Sequence, residues 1–246
     1  MKKRLLVLGL AFTMLAATAC GTSSDDGNKT SKADKTVTAT SNSDKTSETQ
    51  KDDDKKDDAK ESYKSADDIT MDDLKNHEET PAEDFKYRDK SNGEAVIKEY
   101  IGDDPIVVIP NEIDGKKVVD FGKIFTNNKD IVAVRVGDNV ENIKEGAFGN
   151  CDNLKYIILG KNVKVFEHGN VGGKKFEQLE LNDGLEQLGE EGTSGAVIIL
   201  NKDKVEVKIP ESVNHMAFTG AKTLIVKAGS YAESFAKEHN MDYRVE

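Results

Sequence analysis

One spacing of apolar residues recurs along the second half of this 246-residue chain and limits the folds open to it. In the unit that begins at Val134, apolar side chains occupy positions 1, 3, 7 and 10, and others follow at positions 15, 18 and 21. The 1, 3, 7, 10 spacing recurs in four units: Val134, Val136, Val140, Ile143; Ile157, Leu159, Val163, Phe166; Leu179, Leu181, Leu185, Leu188; and Val207, Ile209, Val213, Met216. A partial copy is Val107, Ile109, Ile113. The unit starts at 107, 134, 157, 179 and 207 are separated by 27, 23, 22 and 28 residues, a period typical of solenoid repeats.

The spacing also indicates how one unit folds. Positions 1 and 3 alternate as in a strand with one buried face, and positions 7 and 10 fall on the return path. A single unit cannot bury its apolar side alone, so successive coils must stack and form a parallel sheet over a continuous core. This register predicts that Val136, Ile143, Phe148 and Leu159 are buried.

The residues of the Val134 unit carry a family resemblance. The run from Val136 to Leu154, with Ala147-Phe148 and Cys151 inside it, resembles the BspA-like leucine-rich repeat, as do Ile209-Pro210 and the ending Ala228 to Ala236. The resemblance covers residues 85–246 and implies a right-handed leucine-rich-repeat solenoid with a parallel sheet, mostly β with short helical turns. It also implies a surface protein, since the family is associated with adhesion and ligand binding. The third and fourth units lack the Ala-Phe...Cys segment, and residues 189–195 are glycine-rich and irregular.

Both ends of such a solenoid need caps. Phe85 to Tyr100 has the pattern of a hairpin around the turn Ser91-Asn92-Gly93 and predicts the N-terminal cap. Ser230 is a suitable N-cap for a helix that runs to His239, and Met241 to Val245 has the pattern of a strand. We expect this helix and strand to form the C-terminal cap.

The N-terminus has the pattern of an export signal. Lys2, Lys3 and Arg4 precede an apolar stretch from Leu5 to Ala17, and small residues lead to Cys20. Thirteen residues make a helix only about 20 Å long, too short to span a bilayer core. The end of this segment resembles the lipobox of bacterial lipoproteins. We therefore expect residues 1–19 to be a signal peptide and Cys20 to carry lipid, including palmitate.

Residues 20–62 follow as a polar, acidic stretch. Between Gly21 and Ser62, 19 of 42 residues are charged, 14 are Ser or Thr, and Val37 is the only large apolar residue. Such a composition cannot offset the entropy of ordering the chain, so we expect a disordered stalk. Residues 63–84 are an acidic segment ahead of the domain, where a short helical turn is expected to end at Pro81. The repeat domain is predicted at residues 85–246.

Charge and cysteine content exclude several classes of function. The net charge of -11 becomes -14 once the three cations of the signal are removed, which argues against nucleic acid as a partner. Membrane attachment would then depend on the lipid at Cys20. If Cys20 is lipidated, Cys151 has no partner for an intrachain disulfide, and we expect it to be buried as a small apolar residue.

No arrangement of residues indicates catalysis, so we predict that the chain is not an enzyme and needs no cofactor. The four histidines, at positions 77, 168, 215 and 239, lack the paired spacing of a metal site, although a solenoid could bring His168 and His215 together. Residues 169–175 resemble a phosphate loop only superficially and are expected to form a repeat turn. No Gly-x-Ser-x-Gly nucleophile motif is present.

Repeat geometry points to one candidate binding face. Position 2 of each unit lies between two inward positions and should point out of the sheet. These residues are Val108, Arg135, Ile158, Glu180 and Lys208. Ile225 is added as a sixth, although its unit follows the repeat spacing less regularly. Of these, Arg135, Ile158, Glu180 and Lys208 are the ligand-binding candidates, with Arg135 as the anchor because Arg is enriched at interface hot spots. An ordinary half-exposed sheet face would have the same sequence.

Signal, stalk and repeat together predict an exported, lipid-anchored binding module of the cell envelope, exposed on the surface. Its partner would be an extracellular or envelope protein. Polysaccharide ranks second because the chain has no Trp to stack on sugar rings. The alternative is a structural or scaffold lipoprotein that binds nothing, and a hydrolase built on the solenoid is a third reading.

Overall fold

The computed structural model describes residues 65–190 and 195–246. The predicted signal peptide at 1–19, Cys20 and the predicted stalk at 20–62 lie outside the described residues. Within the described part, no helix is both long enough and apolar enough to cross a bilayer.

Short strands dominate the fold, with two helices near its ends. The helices are α1 (Met71–Asn76) and α2 (Tyr231–Glu238), and two single 3₁₀ turns span Ala66–Asp68 and Ala82–Asp84. The first nine strands are β1 (Phe85–Asp89), β2 (Ala95–Tyr100), β3 (Ile106–Val108), β4 (Glu112–Ile113), β5 (Lys116–Phe121), β6 (Ala133–Arg135), β7 (Asn142–Ile143), β8 (Tyr156–Ile158) and β9 (Val165–Phe166). The others are β10 (Gly169–Val171), β11 (Gln178–Glu180), β12 (Gln187–Leu188), β13 (Val197–Ile199), β14 (Glu206–Lys208), β15 (His215–Met216), β16 (Phe218–Thr219), β17 (Thr223–Val226) and β18 (Tyr243–Val245).

Equivalent strands of successive coils pair with one another and build a solenoid of about six turns. On the side that we call the front, position 1 pairs with position 1: Val107 lies opposite Val134, Val134 opposite Ile157, and Ile157 opposite Leu179. The front strands form two parallel sheets, β3-β6-β8-β11 and β14-β17-β18. The return path forms a longer sheet, β1-β2-β5-β7-β9-β12-β15, and a small third sheet, β10-β13-β16. The predicted leucine-rich-repeat solenoid with parallel sheets is thus confirmed.

The core consists of the repeat positions predicted from the sequence. Phe148 is 1% exposed, and Val136, Ile143 and Leu159 are also buried, which confirms the register. The ring of Phe148 lies 5.8 to 6.1 Å from the rings of three other phenylalanines, Phe121, Phe125 and Phe166. Aromatic side chains of successive coils therefore pack against one another through the centre of the first half of the solenoid, mostly edge to face.

Both caps are present. Strands β1 and β2 form the predicted antiparallel hairpin, and β2 then pairs with β5 in parallel to continue the return sheet. At the other end the Ser230 hydroxyl accepts a hydrogen bond from the Glu233 backbone N–H and caps α2. Strand β18 pairs in parallel with β17 and closes the second front sheet.

The segment ahead of β1 belongs to the folded unit, which therefore begins earlier than the boundary predicted at Phe85. Helix α1 starts in a capping box between Thr70 and Asp73, and it ends at Asn76 rather than at Pro81. The chain becomes extended at His77, where the helix ends. It then reaches Thr80, whose N–H donates a hydrogen bond to the Val108 carbonyl at 3.0 Å. This contact with a distant strand cannot be recognised from local sequence.

Candidate functional site

The outward side of the front strands, here called the front face, holds all six residues predicted to point out of the sheet. Side chains alternate as expected, since Leu179 and Val207 face the core while Glu180 and Lys208 point outward. The face is not uniform along the solenoid. Its first half is covered by residues 65–80, which we call the cover segment, and its second half is open.

Apolar anchors hold the cover segment on the front face. Ile69 and Leu74 are fully buried and form a second small core with residues of β3, β6 and β8, including Ile106, Ala133 and Tyr156. Burial of two such side chains stabilises the contact by about 3 to 6 kcal/mol before the entropy of ordering the segment is subtracted. The cover segment is therefore integral to the fold.

Polar contacts fix its register on the strands. Val108 is only 2% exposed, because its backbone N–H donates to the Thr80 hydroxyl at 2.9 Å and its carbonyl accepts from the Thr80 N–H. Lys155, just before β8, is 7% exposed, and its ammonium donates to the Ile69 carbonyl at 2.9 Å. Because the cover segment lies over Val108 and bonds to its backbone, Val108 is unavailable to an external ligand.

Arg135, the predicted anchor, is engaged within the chain. Its Nη2 atom donates to the His77 carbonyl at 2.5 Å, and its side chain is half-buried. Ile158 is half-buried against the same cover segment. Arg135 and Ile158 thus help to hold the cover segment on the sheet. This use of their side chains competes directly with the ligand contacts that we predicted for them.

Glu180, Lys208 and Ile225 lie on the open half. The Glu180 carboxylate is 2.9 Å from the Lys75 ammonium, an ion pair at the margin of the cover segment. Lys208 is exposed and pairs with Glu246 at 2.6 Å, which raises the pKa of the Lys208 ammonium. Ile225 is half-buried and gives this half an apolar contact surface.

The open half contains a break in the hydrogen-bond ladder. Along the front, the N–H at position 3 of one coil donates to the carbonyl at position 2 of the next. The bonds are Ile109 to Arg135, Val136 to Ile158, Leu159 to Glu180, and later Ile209 to Ile225, all at 2.8 to 2.9 Å. The equivalent bond from Leu181 to Lys208 is missing among the described residues. Strands β11 and β14 consequently end two separate sheets.

The coils remain joined elsewhere, so the break is confined to the front. Gln187 of β12 pairs with His215 of β15 on the return path, and Val197 of β13 pairs with Phe218 of β16 in the third sheet. The third unit spans 28 residues between the starts at 179 and 207, but the unit that starts at 107 spans 27 and its front strands β3 and β6 pair normally, so unit length alone does not account for the break. We did not predict a break from the sequence.

A cleft of about 490 Å³ lies at the break. Its lining contains four acidic residues, Glu177, Glu180, Asp183 and Glu206, against two basic ones, Lys204 and Lys208. Apolar surface is supplied by Leu181, Pro210 and Ile225. The volume falls within the range of about 300 to 1,000 Å³ that is typical of ligand sites. We take this cleft as the candidate functional site.

The histidines and Cys151 of the described part do not form a second site. His168 lies 3.7 Å from Glu145 and 3.6 Å from Glu190, beyond hydrogen-bonding distance of both, while His215 contacts Asn214. Across residues 65–190 and 195–246, no three His, Cys, Asp or Glu side chains are grouped to hold a metal ion. Cys151 is buried as predicted, and burial raises the pKa of its thiol to about 11.

Comparison with known proteins supports the fold. No protein-family model matches the chain, and no curated protein matches it. A solved leucine-rich-repeat protein of T. pallidum is similar over 60% of this chain and 71% of its own, with 24% identity and a TM-score of 0.50. A leucine-rich-repeat protein from Bacteroides capillosus matches 59% of this chain and 95% of its own at 20% identity and a TM-score of 0.38. A leucine-rich cell surface protein from Faecalibacterium prausnitzii matches 58% and 53% at 15% identity and a TM-score of 0.35.

Proposed function

We propose that this chain is an exported, lipid-anchored module that binds a protein partner outside the cytoplasm, with the open half of the front face as its binding surface. The observation that carries this proposal is the cleft at β11 and β14 on the front face of the repeat scaffold. Repeat solenoids use extended surfaces of this kind for binding, and the first half of the face is occupied by the chain itself. An external partner therefore has the second half available.

The N-terminal sequence supports the location. A basic start, a short apolar stretch and Cys20 after small residues fit lipidation after export, and the acidic stretch to residue 62 fits a spacer. A linker of about 45 residues, from Cys20 to the start of the cover segment at residue 65, has a root-mean-square reach of roughly 35 to 40 Å, enough to hold the domain clear of a membrane surface. The proposed role is adhesion to, or capture of, a protein ligand at the cell surface.

Anchoring is tested with labelled palmitate in cells that express the chain. We expect label in the wild-type protein and none in a Cys20→Ser variant, which should appear in the soluble or secreted fraction. Exposure is tested by adding a protease to intact cells. If the chain resists the protease on intact cells but is digested after lysis, the surface role is wrong and a scaffold within the envelope becomes the better reading.

Binding is tested on an optical sensor with the full chain against extracellular-matrix proteins, mucins and polysaccharides. We expect saturable binding to a protein of this panel, lost on Ile225→Asp, which places a charge on the open half. The matched control is Leu200→Asp, because Leu200 is an exposed apolar residue outside the cleft lining. Binding to no member of the panel by folded protein would overturn the adhesion role, and binding to polysaccharide alone would overturn the protein partner.

A further inference from the structure

Another cavity lies where the chain enters the front strands β8, β11 and β14, beside the start of the cover segment. Its volume is about 360 Å³, near the lower end of the range that is typical of ligand sites. It adjoins the cleft, since Glu177 and Lys204 line both. Every residue of its lining is polar or charged: Lys155, Lys174, Lys175, Lys204, Asp67, Glu177 and Asn201.

Both carboxylates of this lining are already engaged within the chain. The Asp67 carboxylate is 3.0 Å from the Lys175 ammonium. The Glu177 carboxylate accepts a hydrogen bond from the Tyr156 hydroxyl at 2.7 Å and lies 4.0 Å from the Lys155 ammonium. Neither carboxylate is therefore left over to balance the remaining cations.

Two of the lysines are unpaired. Lys174 and Lys204 are exposed and form no ion pair within residues 65–190 and 195–246. Four lysines against two carboxylates leave the lining with two positive charges, in a chain whose net charge is -11. The cavity is thus a local positive site on an acidic protein, and such a site attracts small anions.

Lys155 adds a buried cation to the wall of the cavity. Its ammonium donates a 2.9 Å hydrogen bond to the Ile69 carbonyl, which is a neutral group. The nearest carboxylate, that of Glu177, is 4.0 Å away. Burial of a charge is costly unless an opposite charge lies close to it. An anion in the cavity would supply that opposite charge.

The turn before β11 also has free backbone donors. The N–H groups of Gly173, Lys174 and Lys175 donate to no acceptor in the described part of the chain. Successive N–H groups of a turn commonly bind anions. The turn ends residues 169–175, which resemble a phosphate loop only superficially, and it leads into a strand rather than a helix. It is therefore not a nucleotide-binding loop, but it supplies donors for a single oxyanion.

We propose that this cavity binds the phosphate or sulfate ester of a small sugar. The ester oxygens accept from the ammonium groups of Lys174 and Lys204 and from the N–H groups of the turn, and their charge balances that of Lys155. The inference goes beyond the proposed function, because it depends neither on lipid anchoring nor on a protein partner at the cleft.

The lining and the net charge favour a small sugar as the body of the ligand. No apolar side chain lines the cavity, which suits a hydroxylated molecule. The Asn201 amide donates to the Phe176 carbonyl at 2.8 Å, and its oxygen has no partner in the described residues, so that oxygen can accept from a hydroxyl. A long polyanion would be repelled by the acidic remainder of the chain.

Binding is tested by NMR titration of the ¹⁵N-labelled full chain in a Cys20→Ser background. The probes are glucose 6-phosphate, glucose 6-sulfate, inorganic phosphate and uncharged glucose. We expect saturable shifts of the amides of residues 173–175 with at least one ester, and glucose should bind at least about tenfold more weakly because it lacks the charge. Inorganic phosphate should bind more weakly than the preferred ester because it lacks the hydroxyl contacts. The tighter of the two esters identifies the preferred oxyanion.

A double variant locates the site. Lys174→Gln with Lys204→Gln removes the two unpaired cations and should weaken the preferred ester at least about tenfold. The matched control is Lys98→Gln with Lys117→Gln, which changes the net charge equally at two exposed lysines outside the lining and should leave binding unchanged. A circular dichroism spectrum and melting curve for each variant verify folding.

Four results would overturn the inference: no saturable binding of either ester, equal binding of glucose, equal binding of inorganic phosphate, or equal loss in both double variants. The sensor panel keeps these failures apart from failure of the proposed function, because its readout depends on Ile225, which does not line this cavity. If a panel protein binds while the esters fail, the binding module stands and the sugar-ester site is wrong.

Discussion

The ammonium group of Lys155 donates a 2.9 Å hydrogen bond to the backbone carbonyl of Ile69, which lies 86 residues earlier in the chain. Lys155 is 7% exposed, and the nearest carboxylate, that of Glu177, is 4.0 Å away. A buried cation is stable only if its donors are satisfied. Here backbone carbonyls of the cover segment satisfy it, so Lys155 couples that segment to the front sheet.

Lys155→Met should therefore loosen the cover segment. The substitution keeps much of the apolar stem but leaves the Ile69 carbonyl without its donor, which costs about 1 to 3 kcal/mol. We expect faster hydrogen–deuterium exchange of amides in residues 66–80, with little change in the return sheet. Lys161→Met is the control, because Lys161 is exposed and pairs only at the surface with Asp138. Equal exchange in both variants would contradict the coupling.

Phe148→Ala should strongly destabilise the solenoid. The substitution removes a ring that is 1% exposed and contacts three other rings, so the free energy of unfolding should fall by about 3 to 5 kcal/mol in urea denaturation. Ile101→Ala, at a residue that is 49% exposed, should cost less than about 1 kcal/mol. Similar losses in the two variants would refute the proposed stacking of coils.

Gly160→Ala tests how closely successive coils approach. A Cβ atom at this position would lie 2.2 Å from the Gly137 carbonyl oxygen, a clash with backbone that no side-chain rotation relieves. We expect a loss of about 1 to 3 kcal/mol. Gly122→Ala is the matched control, since its Cβ would meet nothing nearer than the Lys144 Cβ at 3.9 Å. Thermal melts of the two variants should differ clearly, and a stable Gly160→Ala protein would show that the coils lie further apart.

The Cys151 thiol should make stability fall at alkaline pH. Burial raises the pKa of this thiol from its ordinary value of 9.0 to about 11 in the folded chain. Between these values the unfolded state loses a proton that the folded state keeps, so stability is fully present below pH 9 and declines as pH rises toward 11.

Urea denaturation of a Cys20→Ser background, with and without Cys151→Ala, measures this effect. The free energy of unfolding should drop more steeply from pH 8.5 to 10.5 when Cys151 is present. Tyr156, whose pKa is raised to about 12, contributes in the same direction and is common to both proteins. Parallel pH profiles would contradict burial of the thiol.

The repeat spacing was sufficient to predict the solenoid, its register and the burial of Phe148, because stacking requires the same apolar positions in every coil. The caps also followed from local patterns, such as the Ser230 N-cap. The cover segment could not be predicted, since the contacts of Lys155 and Arg135 with it join residues far apart in sequence. The ladder break depends on the path of the chain between β11 and β14, and the 28-residue spacing does not predict it, since the 27-residue unit that starts at 107 has paired front strands.

Hydrogen–deuterium exchange of the full chain, alone and saturated with the panel protein that it binds, tests the central claim most directly. The amides of Leu181, Glu206 and Lys208 face the cleft without ladder partners and should exchange quickly in the free chain. We predict that the partner slows exchange in residues 178–183 and 204–210 and leaves 133–135 and 156–158, under the cover segment, unchanged. Protection confined to other parts of the solenoid, with 178–183 and 204–210 unaffected, would contradict the claim that the open half of the front face is the binding surface.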